Sequence, residues 1–439
     1  MTARKQTEQR LAYLAYYDDL TGLPNRTLFY ERVNRAIYHA RQNLSMVAVI
    51  FFDLDGFKYV NDTWGHPIGD LLLKKVAKRL MQCTLCQSDA MARLGGDDFT
   101  MVLENINSPK LIEQFAHNIL EVVQPPFDLN GHETFITASI GISLYPNDGK
   151  EVDTLLKQAD AALYHAKESG KNNYQFFTPQ MKKHAHNRLI MESKLRRALE
   201  REEFVLYYQP QMHLASGQII GAEVLLRWQH PEMGLVSPYR FIPLAEETGL
   251  IVPIGEWVLH HTCLQQQHWQ CHSQSKLRLS VNLSSRQFQQ DNLIKTVVRI
   301  LDETCMDATL LTLELTESLL IQNIDITNKI LHQFKEMGIQ LAIDDFGTGY
   351  SSLSYLKRFP IDKLKIDQSF VRDIPDNKDD VNITKAIIAL AHNLQMTVVA
   401  EGVEKETQLI LLKSLQCDEI QGYLISRPVP EEEFLNMFS

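Results

Sequence analysis

The chain has 439 residues, of which 44% are hydrophobic and 22% are charged, an ordinary composition for a globular protein of two or three domains. Its formal net charge of −10 argues against non-specific binding to nucleic acid, and phosphate ligands would need metal ions or local basic residues. Six dispersed cysteines do not suggest a disulfide scaffold. Because no long apolar stretch stands out, we expect a cytoplasmic protein with no membrane segment in this chain.

The first part of the chain predicts a short connector and then an α/β domain. Residues 1–17 follow a polar helical pattern and are expected to form a connector helix. Within 18–177, the buried-strand pattern Met46–Phe52 runs into acidic residues, a helical pattern starts at Asp70, and 99–103 is strand-like. Since strands and helices intermix here, we expect a sheet with packed helices.

The second part of the chain predicts a barrel. A charged helical pattern at 178–190 indicates a linker helix, and 191–439 forms the last predicted domain. Its strand-like segments are VLYYQPQ, IIGAEVLLRW, LRLSVNL, LLTLELTE, IQLAIDD, KLKID, TVVAEG and EIQGYL. Eight strands with helical patterns in most of the gaps between them predict a (β/α)8 barrel.

Polar and acidic side chains recur in or at the ends of seven of these segments. They are Glu223, Asn282, Glu314, Asp344, Asp345, Lys365, Asp367, Glu401 and Gln421. Because the carboxyl ends of barrel strands converge on one face, we expect these side chains to meet there. A single carboxylate at a strand end is more often a cap or a surface acid, but such recurrence favours a site. Oxygen ligands indicate Mg²⁺ or Mn²⁺, and a site with two ions suits phosphodiester hydrolysis.

From about residue 190 to the end, the chain resembles the EAL family of cyclic-di-GMP phosphodiesterases. The matching segments are YYQPQ, EVLLRW, FIPLAEETGLI, SVNLSSRQF, ELTES, DDFGTGYSS, LKID, AEGVE and QGYLISRP. Val224 replaces the alanine of the family signature, a change of bulk that removes no ligand. The resemblance implies metal-dependent hydrolysis of cyclic-di-GMP to linear pGpG.

The resemblance also implies a role for each matching polar residue. The implied ligands of two Mg²⁺ or Mn²⁺ ions are Glu223, Asn282, Glu314 and Asp344, with Asp345 at the second ion. Lys365 and Glu401 are implied to position and deprotonate the attacking water, and they form the implied catalytic group together with Glu223. The implied substrate-site residues are Gln209, Arg227, Gln421 and Glu317. Of these, Gln421 is implied to orient water or metal, and Glu317 is implied to anchor the loop after Asp345.

The N-terminal domain carries a second group of acidic residues. Asp53 ends a buried strand, and a glycine pair between strand-like segments predicts a hairpin turn that presents Asp97 and Asp98. Two acids on strands can hold Mg²⁺ against a triphosphate. Lys167 and Lys171 are one helical turn apart in sequence, so we expect both to face one anion, the alternative being a solvated helix face.

Residues 16–177 resemble a GGDEF diguanylate cyclase domain. The matching segments are DLTGLPNR, FFDLDGFKYVNDTWGHPIGD, RLGGDDF, SIGIS and DAALYHAKESGKN. The resemblance implies a palm-like (ferredoxin-like) α/β fold and synthesis of cyclic-di-GMP from two GTP molecules. The implied residues are Asp53, the Leu54 carbonyl and Asp97 as Mg²⁺ ligands, Asp97 and Asp98 in catalysis, Asn61 and Asp70 at the guanine, and Lys58, Lys167 and Lys171 at the phosphates.

Two departures from the GGDEF pattern bear on cyclase activity. Asp98 stands where the signature has glutamate, which shortens the side chain by one methylene at a position where small displacements matter. Cys86 replaces the arginine of the inhibitory product site that ends at Asp89, so product feedback there should be weak or absent. Two alternatives stay open: a GTP-binding regulatory domain without cyclase activity, or a non-catalytic cyclic-di-GMP receptor. Because cyclase chemistry joins two GTP molecules, one per domain, it implies a homodimer.

Overall fold

The computed structural model describes residues 10, 13–81, 90–106, 108–273, 276–320, 324–347 and 356–438. The chain divides into two compact units, Met1–Leu189 and Ile190–Ser439, and each unit encloses its own apolar core. Most of the connector predicted at 1–17 lies outside the described residues, as do Cys86 and Asp89. Among the described residues, no helix combines the length and the apolar character that crossing a bilayer requires.

The N-terminal unit is built on a five-stranded sheet in the order β2-β3-β1-β6-β7. β6 and β7 are parallel, and the other neighbouring strands are antiparallel. A separate hairpin pairs β4 with β5. The strands are β1 (Met46–Asp55), β2 (Ala90–Gly95), β3 (Asp98–Ile106), β4 (Phe127–Leu129), β5 (His132–Thr134), β6 (Thr137–Tyr145) and β7 (Tyr174–Phe176).

Helices cover both faces of this sheet, because the central strand β1 is apolar on both sides. Val47 and Val49 of β1 pack into one buried cluster, and Ala48 and Ile50 pack into another on the opposite face. The helices of this unit are α1 (Arg26–Asn43), α2 (Phe57–Trp64), α3 (His66–Met81), α4 (Pro109–Val123) and α5 (Val152–Glu168), and α6 (Pro179–Ala198) begins in this unit and continues past Leu189 into the other. The prediction of a central sheet flanked by helices is confirmed.

The C-terminal unit is a closed eight-stranded barrel in the order β9-β11-β12-β13-β14-β15-β16-β8, closed by pairing of β8 with β9. The short strand β10 (Gly234–Val236) extends the sheet from β9. The barrel strands are β8 (Phe204–His213), β9 (Gln218–His230), β11 (Arg278–Asn282), β12 (Leu311–Thr316), β13 (Gln340–Phe346), β14 (Lys363–Ile366), β15 (Thr397–Ala400) and β16 (Glu419–Gln421). The predicted barrel is therefore confirmed.

Helices pack around the barrel and join most of its strands. They are α7 (Pro238–Thr248), α8 (Ile251–Ser273), α9 (Ser285–Phe288), α10 (Leu293–Thr304), α11 (Glu317–Leu320), α12 (Ile324–Glu336), α13 (Gln368–Val371), α14 (Lys378–Asn393), α15 (Glu406–Ser414) and α16 (Glu431–Leu435). Single 3-10 turns occur at Ala308–Leu310 and Asn436–Phe438.

One strand departs from the regular (β/α)8 pattern. β8 runs antiparallel to both of its neighbours, β9 and β16. The connection 214–217 between β8 and β9 is a short turn, whereas parallel neighbours need a crossover of about a dozen residues or more. Gln209 consequently lies within β8, paired with Glu223 of β9, instead of at a carboxyl strand end.

Candidate functional site

A buried lysine lies among four carboxylates at the carboxyl end of the barrel strands. Lys365 Nζ is 2.6 Å from both Glu314 Oε2 and Glu401 Oε1. It is 2.9 Å from Asp344 Oδ1 and 3.6 Å from Glu223 Oε2. The lysine comes from β14, and the acids come from β9, β12, β13 and the residue after β15. Five strands therefore bring together five of the predicted site residues.

Side-chain amides from two further strands hold one of these carboxylates in place, and amides from a third strand hold one of those two. Asn282 Nδ2 donates a 2.6 Å hydrogen bond to Glu223 Oε1, and Gln421 Nε2 donates to Glu223 Oε2. Gln421 Nε2 also donates to Gln209 Oε1 at 2.9 Å, and its own Oε1 accepts from Gln211 Nε2 at 3.0 Å. Both oxygens of Glu223 are thereby oriented. The structure adds Gln211 to the predicted residues.

Carboxylate oxygen atoms at this end of the barrel are close enough to share a cation. Asp344, Asp345 and Glu401 each offer a carboxylate oxygen within 4.8 Å of the other two. Asp345 has a positive φ of 54°, an unfavourable backbone conformation for a residue other than glycine, at the point where the adjacent carboxylates of Asp344 and Asp345 approach Glu401. Asp367, which our sequence reasoning placed at a strand end without assigning it a role, forms a side-chain hydrogen bond with Asp345.

Burial and mutual repulsion disfavour ionisation of these acids. Burial raises the pKa of Glu314 to about 8, with Glu223 and Asp344 adding to the shift and Lys365 opposing it. Burial and the adjacent Asp344 raise the pKa of Asp345 to about 6. Burial by itself would lower the pKa of Lys365, but the surrounding carboxylates raise it well above its ordinary value. A set of crowded oxygen donors with such pKa values fits Mg²⁺ or Mn²⁺, because a divalent cation relieves the repulsion.

Two predicted substrate-site residues lie on or directly after strands that contribute acids to this cluster. Arg227 of β9 is half-buried, its guanidinium is 5.4 Å from the centre of the Tyr207 ring, and burial lowers its pKa. Glu317 is the buried first residue of α11, directly after β12. The loop that it is predicted to anchor lies mostly outside the described residues, so that role stays a prediction.

The N-terminal unit gathers a smaller charged group at the end of β1. Lys167 of α5 forms an ion pair with Asp53. Burial raises the pKa of Asp53 to about 6, with Lys167 opposing the shift and Asp97 and Asp98 adding to it. Burial, and then Asp97, also raise the pKa of Asp98. Leu54 follows Asp53 in β1, and Lys58 is exposed on α2.

The turn that carries Asp97 and Asp98 is held by an arginine that our sequence reasoning did not single out. Gly95 and Gly96 have φ values of 145° and 53°, so the predicted glycine turn between β2 and β3 is confirmed. Arg93 donates to the Gly96 carbonyl at 2.7 and 2.9 Å and to both oxygens of Asp18 at 2.9 Å. The motif RLGGDDF contains this arginine just before the turn, and that position could have identified it from the sequence as a residue that holds the turn.

The predicted guanine-reading residues come from two adjacent helices. The Asn61 side chain on α2 packs against the backbone of α3 at Gly69, immediately before Asp70. A Cβ atom on Gly69 would lie 1.9 Å from Asn61 Oδ1, so a larger residue here would displace the Asn61 side chain from this position. The structure thus brings Asn61 next to the residue that precedes Asp70.

The expectation that Lys167 and Lys171 share a helical face is wrong. α5 ends at Glu168, and Lys171 lies beyond it with a φ of 58°. Asp55 accepts a 3.1 Å hydrogen bond from the Asn172 backbone and holds the turn after the helix. A glycine that signals a helix end precedes Lys171 in the sequence. The helical pattern should therefore have been ended before Lys171.

Comparison with known families matches each unit separately. Residues 15–173 match the family model "Diguanylate cyclase, GGDEF domain", and residues 192–428 match the family model "EAL domain".

Similar proteins share this arrangement. "Bifunctional diguanylate cyclase/cyclic di-GMP phosphodiesterase MucR" of Pseudomonas aeruginosa is 44% identical over 434 residues, which are 99% of this chain and 63% of that protein. "Cyclic di-GMP phosphodiesterase PdeR" of Escherichia coli is 39% identical over 99% of this chain and 65% of its own. This chain therefore spans slightly less than two thirds of either relative.

A solved structure titled "PaMucR Phosphodiesterase, c-di-GMP complex" is similar to the barrel unit. It has 45% sequence identity and a TM-score of 0.55, and the match covers 56% of this chain and 99% of that chain. With both family models matched in tandem, the chain belongs to the GGDEF–EAL family, whose relatives act in cyclic-di-GMP turnover.

Proposed function

We propose that the barrel of this protein hydrolyses cyclic-di-GMP to linear pGpG in a reaction that depends on Mg²⁺ or Mn²⁺. The observation that carries the proposal is the placement of Lys365, 2.6 Å from Glu401, within a group of oxygen donors from separate strands. The activity named for the relatives and the cyclic-di-GMP complex of the similar barrel support the substrate. Every ligand position implied by the resemblance carries an oxygen-donating side chain.

The residues that would hold two ions are Glu223, Asn282, Glu314 and Asp344, with Asp345 at the second ion. When bound, divalent cations offset negative charge on the phosphate and favour deprotonation of the attacking water.

The side chains of the barrel then have distinct tasks in the reaction. Glu401 accepts a proton from water, and Lys365 orients that carboxylate. The water oxygen forms a bond to phosphorus while the bond to the ribose 3′ oxygen breaks, and that oxygen takes up a proton. Arg227 suits a phosphate, and Gln421 and Gln209 are linked by a hydrogen bond that orients both amides.

Product chromatography of the full chain tests this proposal. Wild-type protein with cyclic-di-GMP and Mg²⁺ should yield pGpG, and EDTA should stop the reaction. Glu223→Ala should reduce the rate by about 100-fold or more, because it removes a ligand and the acceptor of two amides. Glu256→Ala on α8, a half-exposed residue paired with Arg299, is the matched control and should keep the wild-type rate. No pGpG from the wild type, or equal rates from both variants, would refute the proposal.

A receptor without catalysis is the competing function for the barrel. Such a protein would bind cyclic-di-GMP and return it intact after prolonged incubation with either metal. The intact acids around Lys365 disfavour this alternative, since a receptor does not require them.

For the N-terminal unit we propose GTP binding with Mg²⁺ and, in a homodimer, condensation of two GTP molecules to cyclic-di-GMP. Asp53, Asp97 and the Leu54 carbonyl would hold the ion, and Lys58, Lys167 and Lys171 would contact phosphates. Clustering of Asp53, Asp97 and Asp98 beside Lys167 supports the metal and phosphate parts of this proposal. The alternative, a GTP-binding regulator, predicts that GTP is bound without condensation and changes the rate of pGpG formation.

A further inference from the structure

The barrel interior contains a second buried lysine that the proposed reaction does not use. Lys363 lies two residues before Lys365 on β14, and its Nζ is 2.6 Å from Glu419 Oε2 of β16. The two side chains are 6% and 4% exposed. β15 lies between their strands, so this ion pair spans the barrel interior across one strand.

Lys363 and Lys365 lie on the same face of β14, because alternate residues of a strand share a face. Lys365 pairs with Val399 of β15, and Val399 pairs with Glu419 of β16. Lys363 pairs instead with Thr397, two residues before Val399 on β15, and nevertheless reaches Glu419. Backbone register alone therefore does not decide which of the two lysines pairs with Glu419.

The two lysines nevertheless have separate carboxylate partners. Lys365 contacts Glu223, Glu314, Asp344 and Glu401, and Glu419 is not among its ion-pair partners in the described part of the chain. Lys363 has its ion pair with Glu419. Five buried or half-buried acids and two lysines thus divide into one catalytic group and one isolated pair.

We propose that Lys363 and Glu419 are a positioning pair that keeps the charges of the catalytic group correctly distributed. Lys363 holds Glu419 away from Lys365, and Glu419 holds Lys363 away from the carboxylates that would bind the cations. The expected loss of kcat rests on the proposed phosphodiesterase function. The expected loss of cation affinity does not depend on that function.

The physical reason is the high cost of an unpaired charge inside a protein. Removing one member of a buried ion pair leaves the other uncompensated, and it then takes a new partner or loses its charge. Lys365 faces the same side of β14 two residues after Lys363, so it is the new partner that this arrangement offers Glu419, and the acids around Lys365 are those it offers Lys363. Removing both members leaves no stray charge, and such double replacements are often tolerated.

Lys363→Met tests the first half of the proposal. The freed Glu419 should draw Lys365 from Glu401, so kcat for pGpG formation should fall about 10- to 100-fold while KM changes little. Lys335→Met is the matched control, because Lys335 forms a 2.6 Å ion pair with Asp362, the residue before Lys363, outside the catalytic group. The control should keep the wild-type kcat.

Glu419→Gln tests the second half with a readout that does not involve hydrolysis. The freed Lys363 should compete with cations, so Mn²⁺ binding to the full chain, followed by electron paramagnetic resonance, should weaken about tenfold. The double variant Lys363→Met/Glu419→Gln should restore kcat and Mn²⁺ affinity to within about threefold of the wild type. Circular dichroism and thermal unfolding establish that each variant is folded.

Two results would overturn the proposal. Folded single variants with wild-type kcat and Mn²⁺ affinity would leave the pair a purely structural role, and a double variant as impaired as the worse single variant would contradict charge separation. If Lys363→Met does not fold, Glu419→Gln and the double variant decide the question through Mn²⁺ affinity. If the wild type makes no pGpG, the proposed function fails, while the Mn²⁺ titrations still test the pair.

Discussion

Asp98 shows how much a single methylene matters at the residue scale. It lies at the start of β3, directly after Asp97, in a half-buried position where burial and Asp97 raise its pKa. A glutamate would carry its carboxylate about 1.5 Å farther, which is the length of one carbon–carbon bond. Since displacements of this size at reacting groups change rates strongly, the residue type controls the proposed cyclase step.

Asp98→Glu should therefore increase cyclic-di-GMP formation from GTP by about tenfold or more. The measurement uses a Glu401→Gln background, so that the barrel does not consume the product, and follows products by chromatography. Asp98→Asn is the comparison variant and should abolish any condensation. Equal rates with and without the Asp98→Glu substitution would show that the reach of this carboxylate does not limit the reaction.

Gly69→Ala should weaken GTP binding by about tenfold or more without unfolding α3. Alanine is favourable in a helix, but its Cβ would lie 1.9 Å from Asn61 Oδ1 and force that side chain to move. Calorimetric titration with a non-hydrolysable GTP analogue measures the loss. Lys78→Ala, at an exposed position of the same helix, is the control, and a Gly69→Ala protein with unchanged affinity would remove Asn61 from the guanine site.

At the scale of elements, one ion pair connects the N-terminal segment to the β2–β3 hairpin. Asp18 accepts hydrogen bonds from the Thr21 backbone at 2.8 Å, from the Thr21 hydroxyl at 2.6 Å and from Arg93. Arg93 in turn fixes the Gly96 carbonyl in the turn before Asp97. The placement of the two acids in the hairpin thus depends on a residue about 80 positions earlier in the chain.

Asp18→Asn should lower the free energy of unfolding of the N-terminal unit at pH 7 by about 1–2 kcal/mol. Burial alone would raise the pKa of Asp18, but the Thr21 and Arg93 hydrogen bonds outweigh it and lower the pKa. The ionised form is therefore favoured by folding, and its contribution is complete above about pH 4 and lost as the pH falls through the lowered pKa.

Calorimetric unfolding of wild type and variant between pH 7 and pH 3 measures this effect. The difference in stability should shrink as the pH falls. Asp19→Asn is the matched control, since the Asp19 side chain is 66% exposed, and it should change stability little. A difference that is constant with pH would show that the Asp18 charge does not contribute.

At the scale of the whole molecule, two units with separate cores carry two opposing proposed reactions. The barrel has all its proposed catalytic residues within one unit, so hydrolysis requires one chain only. The proposed GTP site of the N-terminal unit would hold one molecule, so the proposed condensation would require two chains face to face.

The two activities should consequently differ in their dependence on protein concentration. In the Glu401→Gln background, cyclic-di-GMP formation per chain should rise with concentration until the dimer is saturated. In the wild type, pGpG formation per chain should stay constant over the same range. Analytical ultracentrifugation establishes the oligomeric state at each concentration, and a constant cyclase rate in a monomeric protein would contradict the need for a dimer.

The sequence by itself determined the class of each unit and the residue types of both sites. Periodicity and turn chemistry are local properties, so the strand-like segments, the glycine turn before Asp97 and the acids at strand ends of the barrel could be predicted. The oxygen-only donor set follows from residue types alone, and the proposal of Mg²⁺ or Mn²⁺ is based on it.

Only the tertiary structure decided which side chains share a partner. Closure of the barrel places Lys365 among four acids, and the reversed direction of β8 brings Gln209 to Glu223 from within a strand. The pairing of Lys363 with Glu419, rather than with the acids around Lys365, likewise cannot be predicted from the sequence. These contacts join residues far apart in the chain, and their geometry depends on strand order, direction and register, which local patterns do not encode.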